Sequence, residues 1–225
     1  KKEELLLVVR NKYGFDFIDK PILEGDEKEI FTMGDFNDNP DDPSIKIALK
    51  TKISRADMTV LFIEELKLTE LFERFMPSNN TPTFQTPSQL MGTSNFILPS
   101  DVNNNWASGW IEEAIKLGVV EPDPDGNFYP SEPVTRAGYA RAVAKILTMV
   151  TRDESLETRY FGENPSRFSD VSSSHFAYPA MALCSERGIM KADLVTGGFK
   201  PNGNVGGADA LLIIRSVQTS LRVTF

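Results

Sequence analysis

Two arginines stand in the same local setting and are the side chains best suited to bind a ligand. Arg55 directly follows Ser54, and Arg136 directly follows Thr135. Either hydroxyl can cap a new helix by accepting an amide proton, and Asp57, three positions after Ser54, has the spacing of a capping box. The amides of a helix start and a guanidinium together form a pocket for a carboxylate, ketal or phosphate. Alternatively, each guanidinium bonds to backbone carbonyls or to a nearby aspartate and locks neighbouring segments together.

Residue types that support catalysis or metal binding are scarce. The 225 residues include a single cysteine, Cys184, and a single histidine, His175. Cys184 lies in an apolar helical pattern that favours burial, and His175 lies at a predicted helix start, where we expect an exposed or capping role. The loop Asp123-Pro124-Asp125-Gly126-Asn127 starts like a calcium loop but lacks the Glu at its twelfth position, and the acidic run from Asp35 to Asp42 is typical of a solvated loop. We therefore predict no catalytic residue, no metal site and no cofactor.

Charge and hydropathy argue against two classes of partner. The chain has 24 basic and 32 acidic side chains, which give a formal net charge of -8. This is the wrong sign for a protein that binds phosphate backbones over a broad face, so we expect no nucleic-acid partner. No stretch reaches about 18 consecutive apolar residues, so we predict no membrane span.

An internal repeat organises the chain. Asp101-Val102 recurs as Asp170-Val171, and Trp106-Ala107 recurs as Phe176-Ala177. Later blocks recur in the same order, namely Gly118-Val119 as Gly188-Ile189, Phe128-Tyr129-Pro130 as Phe199-Lys200-Pro201, and Val134-Thr135-Arg136-Ala137 as Val205-Gly206-Gly207-Ala208. A further copy of the last block occurs earlier, as Ile53-Ser54-Arg55-Ala56. The sequence therefore predicts three units.

Each unit has the pattern of a helix, a loop and a second helix. The first helix has apolar residues at helical spacing from Trp106 to Leu117 and is followed by Gly118, which tolerates the left-handed conformation of a C-terminal cap. A turn-rich loop leads to Pro130, and the second helix starts at Thr135 with apolar residues at intervals of three and four. In the first unit, the candidate first helix runs from Glu3 to Tyr13. Because a two-helix unit cannot bury its own apolar face, we predict a mainly α fold in which three helix-loop-helix repeats pack together.

This ordered set of motifs resembles the S-layer homology module of bacterial cell-envelope proteins. The second unit carries the Asp-Val, Trp-Ala, Gly-Val, Gly-x-Phe-x-Pro and Thr-Arg-Ala motifs of that family, and the third carries Phe168-Ser169-Asp170-Val171 and Gly198-Phe199-Lys200-Pro201. The resemblance implies a pseudo-threefold helical bundle that attaches a protein to a cell-wall glycopolymer or to peptidoglycan. In the third unit Gly206-Gly207 stands where the family has Thr-Arg, so we expect the third groove to bind poorly.

The repeat and the resemblance together give a set of predicted ligand-binding residues. They are Arg55, Arg136, Ser54, Thr135, Asp101, Trp106 and Asp170. Asp101 and Asp170 precede predicted helices, where capping is the alternative to polymer contact. Trp106 offers an indole face to a sugar ring, and packing in the core is its alternative role.

These observations predict five segments and one main function. The segments are a divergent first repeat with an insertion at 1–76, a linker at 77–95, the second repeat at 96–150, a linker at 151–166 and a degenerate third repeat at 167–225. We expect a non-catalytic module of the cell envelope, on the extracellular surface or in the periplasm, that binds an anionic cell-wall polysaccharide or peptidoglycan between its repeats. The alternative is a structural or protein-interaction scaffold of a surface layer that has lost glycan binding and contacts other surface-layer subunits.

Overall fold

The computed structural model describes residues 43–75 and 98–224 of the chain. In chain order its helices are α1 (Pro43–Ala48), α2 (Arg55–Glu64), α3 (Leu68–Phe75), α4 (Ser108–Lys116), α5 (Arg136–Thr151), α6 (Tyr178–Glu186) and α7 (Gly207–Thr224), with a short 3-10 helix at Glu154–Glu157. Within these residues extended backbone pairs at two isolated bridges without forming a sheet, so the predicted mainly α fold is confirmed. No helix in this part of the chain is both long and apolar enough to cross a membrane. The candidate helix from Glu3 to Tyr13, the acidic run from Asp35 to Asp42 and the linker at 77–95 lie outside the described residues.

The second helix of each of the first two units begins at the predicted cap. The hydroxyl of Ser54 accepts a hydrogen bond from the amide of Asp57 at 3.2 Å, and the carboxylate of Asp57 accepts one from the amide of Ser54 at 2.8 Å. The capping box of α2 is therefore complete. At the start of α5, the hydroxyl of Thr135 accepts from the amide of Gly138 at 3.1 Å. Both helix starts follow from local sequence alone.

The turn after the first helix of a unit depends on glycine, as the repeat predicts. Gly118 follows α4 with a φ of 76°, and Gly188 follows α6 with a φ of 69°. The next amide then bonds back into the helix, from Val119 N to Ala114 O at 3.1 Å and from Ile189 N to Cys184 O at 2.8 Å. A side chain would strain this left-handed backbone, so glycine sets the point where the chain leaves the helix.

A closed cycle of backbone hydrogen bonds joins equivalent positions of the three predicted units. The amide of Val134 donates to the carbonyl of Ile53 at 2.9 Å, and the amide of Ile53 donates to the carbonyl of Val205 at 2.9 Å. The amide of Val205 completes the cycle by donating to the carbonyl of Val134 at 3.1 Å. All three residues are buried and directly precede the block that starts a second helix. Each predicted unit therefore contributes one extended backbone segment to a common centre.

Helix packing follows the same order around this centre. α2 of the first unit packs against α4 of the second, and α5 of the second packs against α6 of the third. A second helix thus covers the first helix of the following unit in both cases. The counterpart for α7 would come from the N-terminal segment, which lies outside the described residues, so the full threefold arrangement stays a prediction.

One hydrophobic core joins the second helices. The ring of Phe62 on α2 lies 5.4 Å from the ring of Tyr139 on α5, and both side chains are fully buried. The hydroxyl of Tyr139 donates to the carbonyl of Ala210 on α7 at 3.2 Å. Burial raises the pKa of the Tyr139 phenol, so the hydroxyl remains a donor at any ordinary pH. This one aromatic residue therefore touches all three units.

The segment 151–166, predicted as a linker, is packed onto the helices on either side of it. Its 3-10 helix at Glu154–Glu157 contacts α5 and α6, and Leu156 and Tyr160 are buried. The phenol of Tyr160 donates to Glu186 on α6 at 2.9 Å. The connection thus contributes to the core, and the segment limits given above stay predictions.

Candidate functional site

Arg55 stacks on an aromatic ring of the second unit. Its guanidinium lies 4.7 Å from the ring centroid of Phe128. Nη2 donates to the carbonyl of Glu121 at 3.0 Å, and Nη1 lies 3.4 Å from the carboxylate of Asp123. The Nε atom is buried and has no hydrogen-bond partner among the described residues. Arg55 therefore holds the loop between the two helices of the second unit while remaining partly open to solvent.

Arg136 repeats this geometry one unit later. Its guanidinium lies 4.8 Å from the ring centroid of Phe199, and Nη2 donates to the carbonyl of Lys191 at 2.9 Å. Nε donates to the carbonyl of Phe199 at 2.8 Å. Burial lowers the pKa of the Arg136 guanidinium, although an arginine remains charged at neutral pH. The bonds of both arginines fit the locking role, and their contact with a ligand stays a prediction.

Asp101 and Asp170 do not cap helices, so that alternative is wrong for both. The carboxylate of Asp101 accepts from the amides of Phe128 at 3.0 Å and Tyr129 at 2.7 Å. The carboxylate of Asp170 accepts from the two equivalent amides, those of Phe199 at 2.8 Å and Lys200 at 2.7 Å. The physical reason is distance along the chain, because α4 begins only at Ser108 and α6 only at Tyr178. Each aspartate instead ties the end of the inter-helix loop to the start of its own unit.

The aromatic residues at equivalent positions of the second and third units are both exposed. Trp106 is 55% exposed and Phe176 is 70% exposed, so core packing is the wrong alternative for Trp106. The ring of Trp106 contacts Trp110 at a centroid distance of 6.0 Å, and the indole N–H of Trp110 donates to Glu64 at 2.7 Å. Trp106 therefore keeps the open face that sugar stacking requires, and that role stays a prediction.

A groove of about 840 Å³ lies where the three units meet. The first unit contributes Arg55 and Met58, the segment 151–166 contributes Glu157, and the third unit contributes Phe176 and Ala180. The rest of the lining comes from the second unit, mainly from the loop after α4 and from one face of α5: Val119, Val120, Glu121, Pro122, Asp123, Pro124, Glu132, Pro133, Val134, Thr135, Gly138, Arg141, Ala142, Ala144 and Lys145. Of the predicted site residues, the structure brings Arg55 and Thr135 to this groove. Ser54, Asp101, Trp106, Arg136 and Asp170 lie outside its lining.

Two basic residues of the groove were not predicted from the sequence. Arg141 and Lys145 lie one helical turn apart on α5 and both line the groove. Lys145 forms an ion pair with Glu121, and the guanidinium of Arg141 lies 5.3 Å from the ring centroid of Phe176. Their spacing of four residues is a signal for a common helix face. The sequence contains no sign that this face borders a groove, because the apolar stripe of α5 dominates the pattern.

The third unit has no equivalent of Arg55 and Arg136 for a steric reason. Gly207 occupies that position, and a Cβ atom on it would lie 1.9 Å from the carbonyl oxygen of Ile47 on α1. The amide of Gly207 donates to the carbonyl of Lys50 at 2.8 Å. Backbone of the first unit therefore fills the space into which an arginine would project. The predicted weak binding of the third groove is consistent with this packing and stays a prediction.

The remaining candidates have structural roles. His175 is partly buried, and its Nδ1 accepts a hydrogen bond from the amide of Ala177 at 3.1 Å. No side chain caps the helix that follows, so the expected capping role is wrong. Cys184 is fully buried, and burial raises the pKa of its thiol to about 12. In the loop Asp123-Pro124-Asp125-Gly126-Asn127, the carboxylate of Asp125 accepts from the amide of Asn127 at 3.0 Å and from the hydroxyl of Tyr129. Residues 43–75 and 98–224 contain no group of three or more side chains that could hold a metal ion.

Two segments of the chain match the sequence model of a known family, described as the S-layer homology domain. The matches cover residues 100–140 and 167–211. These segments fall within the second and third predicted repeats, so the resemblance inferred from the motifs is confirmed there. The first predicted repeat lies outside both segments and stays a prediction.

Several curated proteins are similar to parts of the chain. An uncharacterized cell wall amidase of Bacillus anthracis is 37% identical over 123 residues, which are 54% of this chain and 21% of the relative. S-layer protein EA1 of Bacillus anthracis is 28% identical over 163 residues, or 72% of this chain and 15% of the relative. Cell surface glycoprotein 1 of Acetivibrio thermocellus is 31% identical over 99 residues, or 44% of this chain and 4% of the relative. The chain thus spans at most 21% of the length of these relatives. The matches confirm the predicted localisation at the cell envelope.

Proposed function

We propose that this chain acts as an anchor by binding an anionic cell-wall glycopolymer or peptidoglycan in the groove between its units. Residues 100–140 and 167–211 match the S-layer homology domain, and such domains are anchoring modules of cell-surface proteins. The observation that carries the proposal is the groove itself. Its lining places three basic side chains beside the exposed ring of Phe176, and it also contains four acidic ones. The basic residues are Arg55, Arg141 and Lys145, and the acidic residues are Glu121, Asp123, Glu132 and Glu157. Guanidinium and ammonium groups beside an aromatic face suit an acidic sugar, because they supply charge-assisted hydrogen bonds and a stacking surface.

The net charge of -8 does not oppose this function. Acidic and basic side chains at the groove lie within a few ångströms of each other, as in the pair of Lys145 with Glu121 and the contact of Arg55 with Asp123 at 3.4 Å. Such local fields dominate over distant charges, because the Debye length at physiological ionic strength is only about 8 Å. An anion bound in the groove therefore responds mainly to the side chains that line it.

Sedimentation with purified cell-wall sacculi tests the proposal. The full chain is mixed with intact sacculi of the source organism and with sacculi from which acid treatment has removed the secondary glycopolymer. We expect the chain to pellet with intact sacculi and to be displaced by the released polymer in solution. Pelleting with both preparations would identify peptidoglycan as the ligand. A chain that stays in the supernatant with both preparations at low salt would contradict the proposal.

A second function is favoured by a specific observation. The charged residues of the repeated motif already form internal bonds, since Arg55 and Arg136 hold backbone carbonyls and Asp101 and Asp170 hold backbone amides. A bundle held together in this way would serve equally well as a scaffold in a surface layer that has lost glycan binding. Sedimentation velocity distinguishes the two functions. A scaffold forms concentration-dependent oligomers and leaves sacculi unbound, whereas an anchor binds sacculi at concentrations where it is monomeric.

A further inference from the structure

The three basic side chains of the groove differ in what they already bind. Arg55 donates to the carbonyl of Glu121 and contacts Asp123, and Lys145 pairs with the carboxylate of Glu121. Arg141, by contrast, has no hydrogen bond and no ion pair with any of the described residues. It is also exposed. Within residues 43–75 and 98–224, therefore, none of the five N–H donors of its guanidinium has to break an existing bond to reach an anion.

Arg141 is nevertheless held in place. Its guanidinium lies 5.3 Å from the ring centroid of Phe176, which is within the range of a cation–π contact. The imidazole of His175 stacks on the same ring at 4.6 Å, with 28° between the planes. His175 is fixed in turn by the hydrogen bond that its Nδ1 accepts from the amide of Ala177. The aromatic pair thus forms a supported platform beside the cation, which reduces the entropy lost when Arg141 binds a ligand.

Only the second unit has a cation at this position. The residue five places after Arg136 is Arg141, whereas the residue five places after Arg55 is Val60 and the residue five places after Gly207 is Leu212. Val60 is fully buried, and Leu212 is partly buried against the core. Arg141 therefore does not take the packing role that the apolar residues have at the equivalent positions of the other two units.

We propose that Arg141, supported by Phe176, is the residue that binds the anionic substituent of the wall sugar, and that it makes the groove specific for an acidic over a neutral pyranose. This inference rests on the function proposed above. Arg55 then acts mainly as a lock between units, while Arg141 forms the bidentate contact that a carboxylate or phosphate accepts from a guanidinium. The exposed ring of Phe176 packs against the apolar face of the sugar.

The test measures binding of Arg141→Ala to intact sacculi. Loss of one bidentate, charge-assisted contact should weaken binding about tenfold. Because the side chain is exposed and alanine favours helices, the midpoint of thermal unfolding should stay at the wild-type value. Lys46→Ala is the matched control, since Lys46 is an exposed cation on α1 outside the groove, and it should bind like the wild type.

Two further variants separate the contact from general charge. Arg141→Lys keeps the positive charge but loses the planar fork, so its affinity should lie between those of the wild type and Arg141→Ala. Phe176→Leu keeps apolar bulk but removes the ring face, and binding should weaken several-fold. Affinity of the wild type should also fall with added salt, and this dependence should be shallower for Arg141→Ala because one ionic contact is missing.

Chemically altered polymers identify the anion. Reduction of carboxyl groups in the released polymer should abolish the difference between the wild type and Arg141→Ala if the contact is to a carboxylate, and removal of phosphate should abolish it if the contact is to a phosphate. Equal binding of the wild type and Arg141→Ala to the untreated polymer would overturn the inference while leaving the proposed function standing. Failure of the wild type to bind any preparation would overturn both.

Discussion

Asp101 and Asp170 show how one carboxylate organises a whole repeat. Each accepts the amides of two consecutive residues, and the second of these, Tyr129 or Lys200, has a left-handed backbone with a φ of 54° or 58°. Such a conformation is costly for a residue with a side chain. The carboxylate offsets that cost, because hydrogen bonds to a charged acceptor are stronger than neutral ones. The aspartate therefore fixes the end of the inter-helix loop. It also fixes the backbone position of the phenylalanine on which the arginine stacks, Phe128 or Phe199.

Removal of this tether should destabilise the fold. We expect Asp101→Ala to lower the free energy of unfolding by about 2 kcal/mol, since two amides lose a charged acceptor. Asp170→Ala should have a similar effect. Urea denaturation measures both, and Asp125→Ala, which removes an exposed carboxylate from the neighbouring loop, is the control with a smaller effect. A value for Asp101→Ala within about 0.5 kcal/mol of the wild type, the scale of ordinary surface changes, would show that the tether is unimportant.

Side-chain contacts could be predicted from the sequence only where the two partners lie close together along the chain. The caps at Ser54 and Thr135 were predictable because donor and acceptor lie three residues apart. The partner of Asp101 lies 27 residues away, so local capping rules assigned it the wrong role. Arg141 was missed for a related reason, since only the folded chain brings Phe176 of another unit to it.

The ion-pair cluster around Arg167 should make stability depend on acid. Arg167 lies 2.8 Å from Glu163 and 2.8 Å from Glu186, and these bonds lower the pKa of both carboxyls from the ordinary value of 4.5. Because the folded pKa is depressed, the unfolded chain binds more protons once the pH falls below that value. The stabilisation is therefore present above about pH 4.5 and is lost as the pH falls through the folded pKa.

The variant Arg167→Met tests this contribution. Between pH 7 and pH 3, its midpoint of thermal unfolding should fall less steeply than the midpoint of the wild type. Identical slopes, with Lys46→Met as the surface control, would rule out this contribution.

Among the helices, α1 can pack closely against the start of α7 because the first residue of α7, Gly207, has no side chain. Gly207 begins α7 directly against the backbone of Ile47, where a Cβ atom would approach the carbonyl oxygen to 1.9 Å. The backbone of α1 cannot yield as a flexible side chain would. The junction between the first and third units therefore depends on one glycine, and this explains why the third unit has no counterpart of Arg55 and Arg136.

Gly207→Ala should consequently be severely destabilising. We expect a loss of more than 3 kcal/mol, because the clash forces α1 away from α7 and opens the core. Gly109→Ala in α4 is the matched control, since nothing lies within 4 Å of its added Cβ, and it should be neutral or slightly stabilising. Thermal unfolding followed by circular dichroism compares the two. Similar midpoints for both variants would mean that α1 does not pack as the structure has it.

Helix positions were more predictable than helix neighbours. The caps, glycines and apolar stripes that define α2, α4, α5 and α6 are all local signals. The packing of the 3-10 helix at Glu154–Glu157 was missed because segment 151–166 is polar overall. Its anchoring depends on single apolar residues such as Leu156, which have no periodic pattern.

At the scale of the whole molecule, the central cycle of hydrogen bonds makes each unit depend on the other two. Val134 bonds to Ile53, Ile53 to Val205, and Val205 to Val134, so removal of one unit leaves two broken contacts at the centre. The repeated blocks predict three units, and that number stays a prediction. The cyclic contact between the equivalent residues could not be predicted, because a row of repeats and a closed bundle have the same sequence period.

A fragment that contains only the two family-matched repeats tests this interdependence. Residues 96–225 lack α2, which buries Val60, Leu61 and Phe62 and supplies the partner of Tyr139. Each such side chain contributes about 1.5–3 kcal/mol, so their joint loss is comparable to the roughly 5–15 kcal/mol that stabilises a typical domain. We expect the fragment to lack a cooperative thermal transition and to exchange its amide hydrogens rapidly, whereas the full chain unfolds in one step. A fragment that melts cooperatively near the midpoint of the full chain would show that the first unit is an accessory to a two-repeat body, and the closed three-unit arrangement would have to be abandoned.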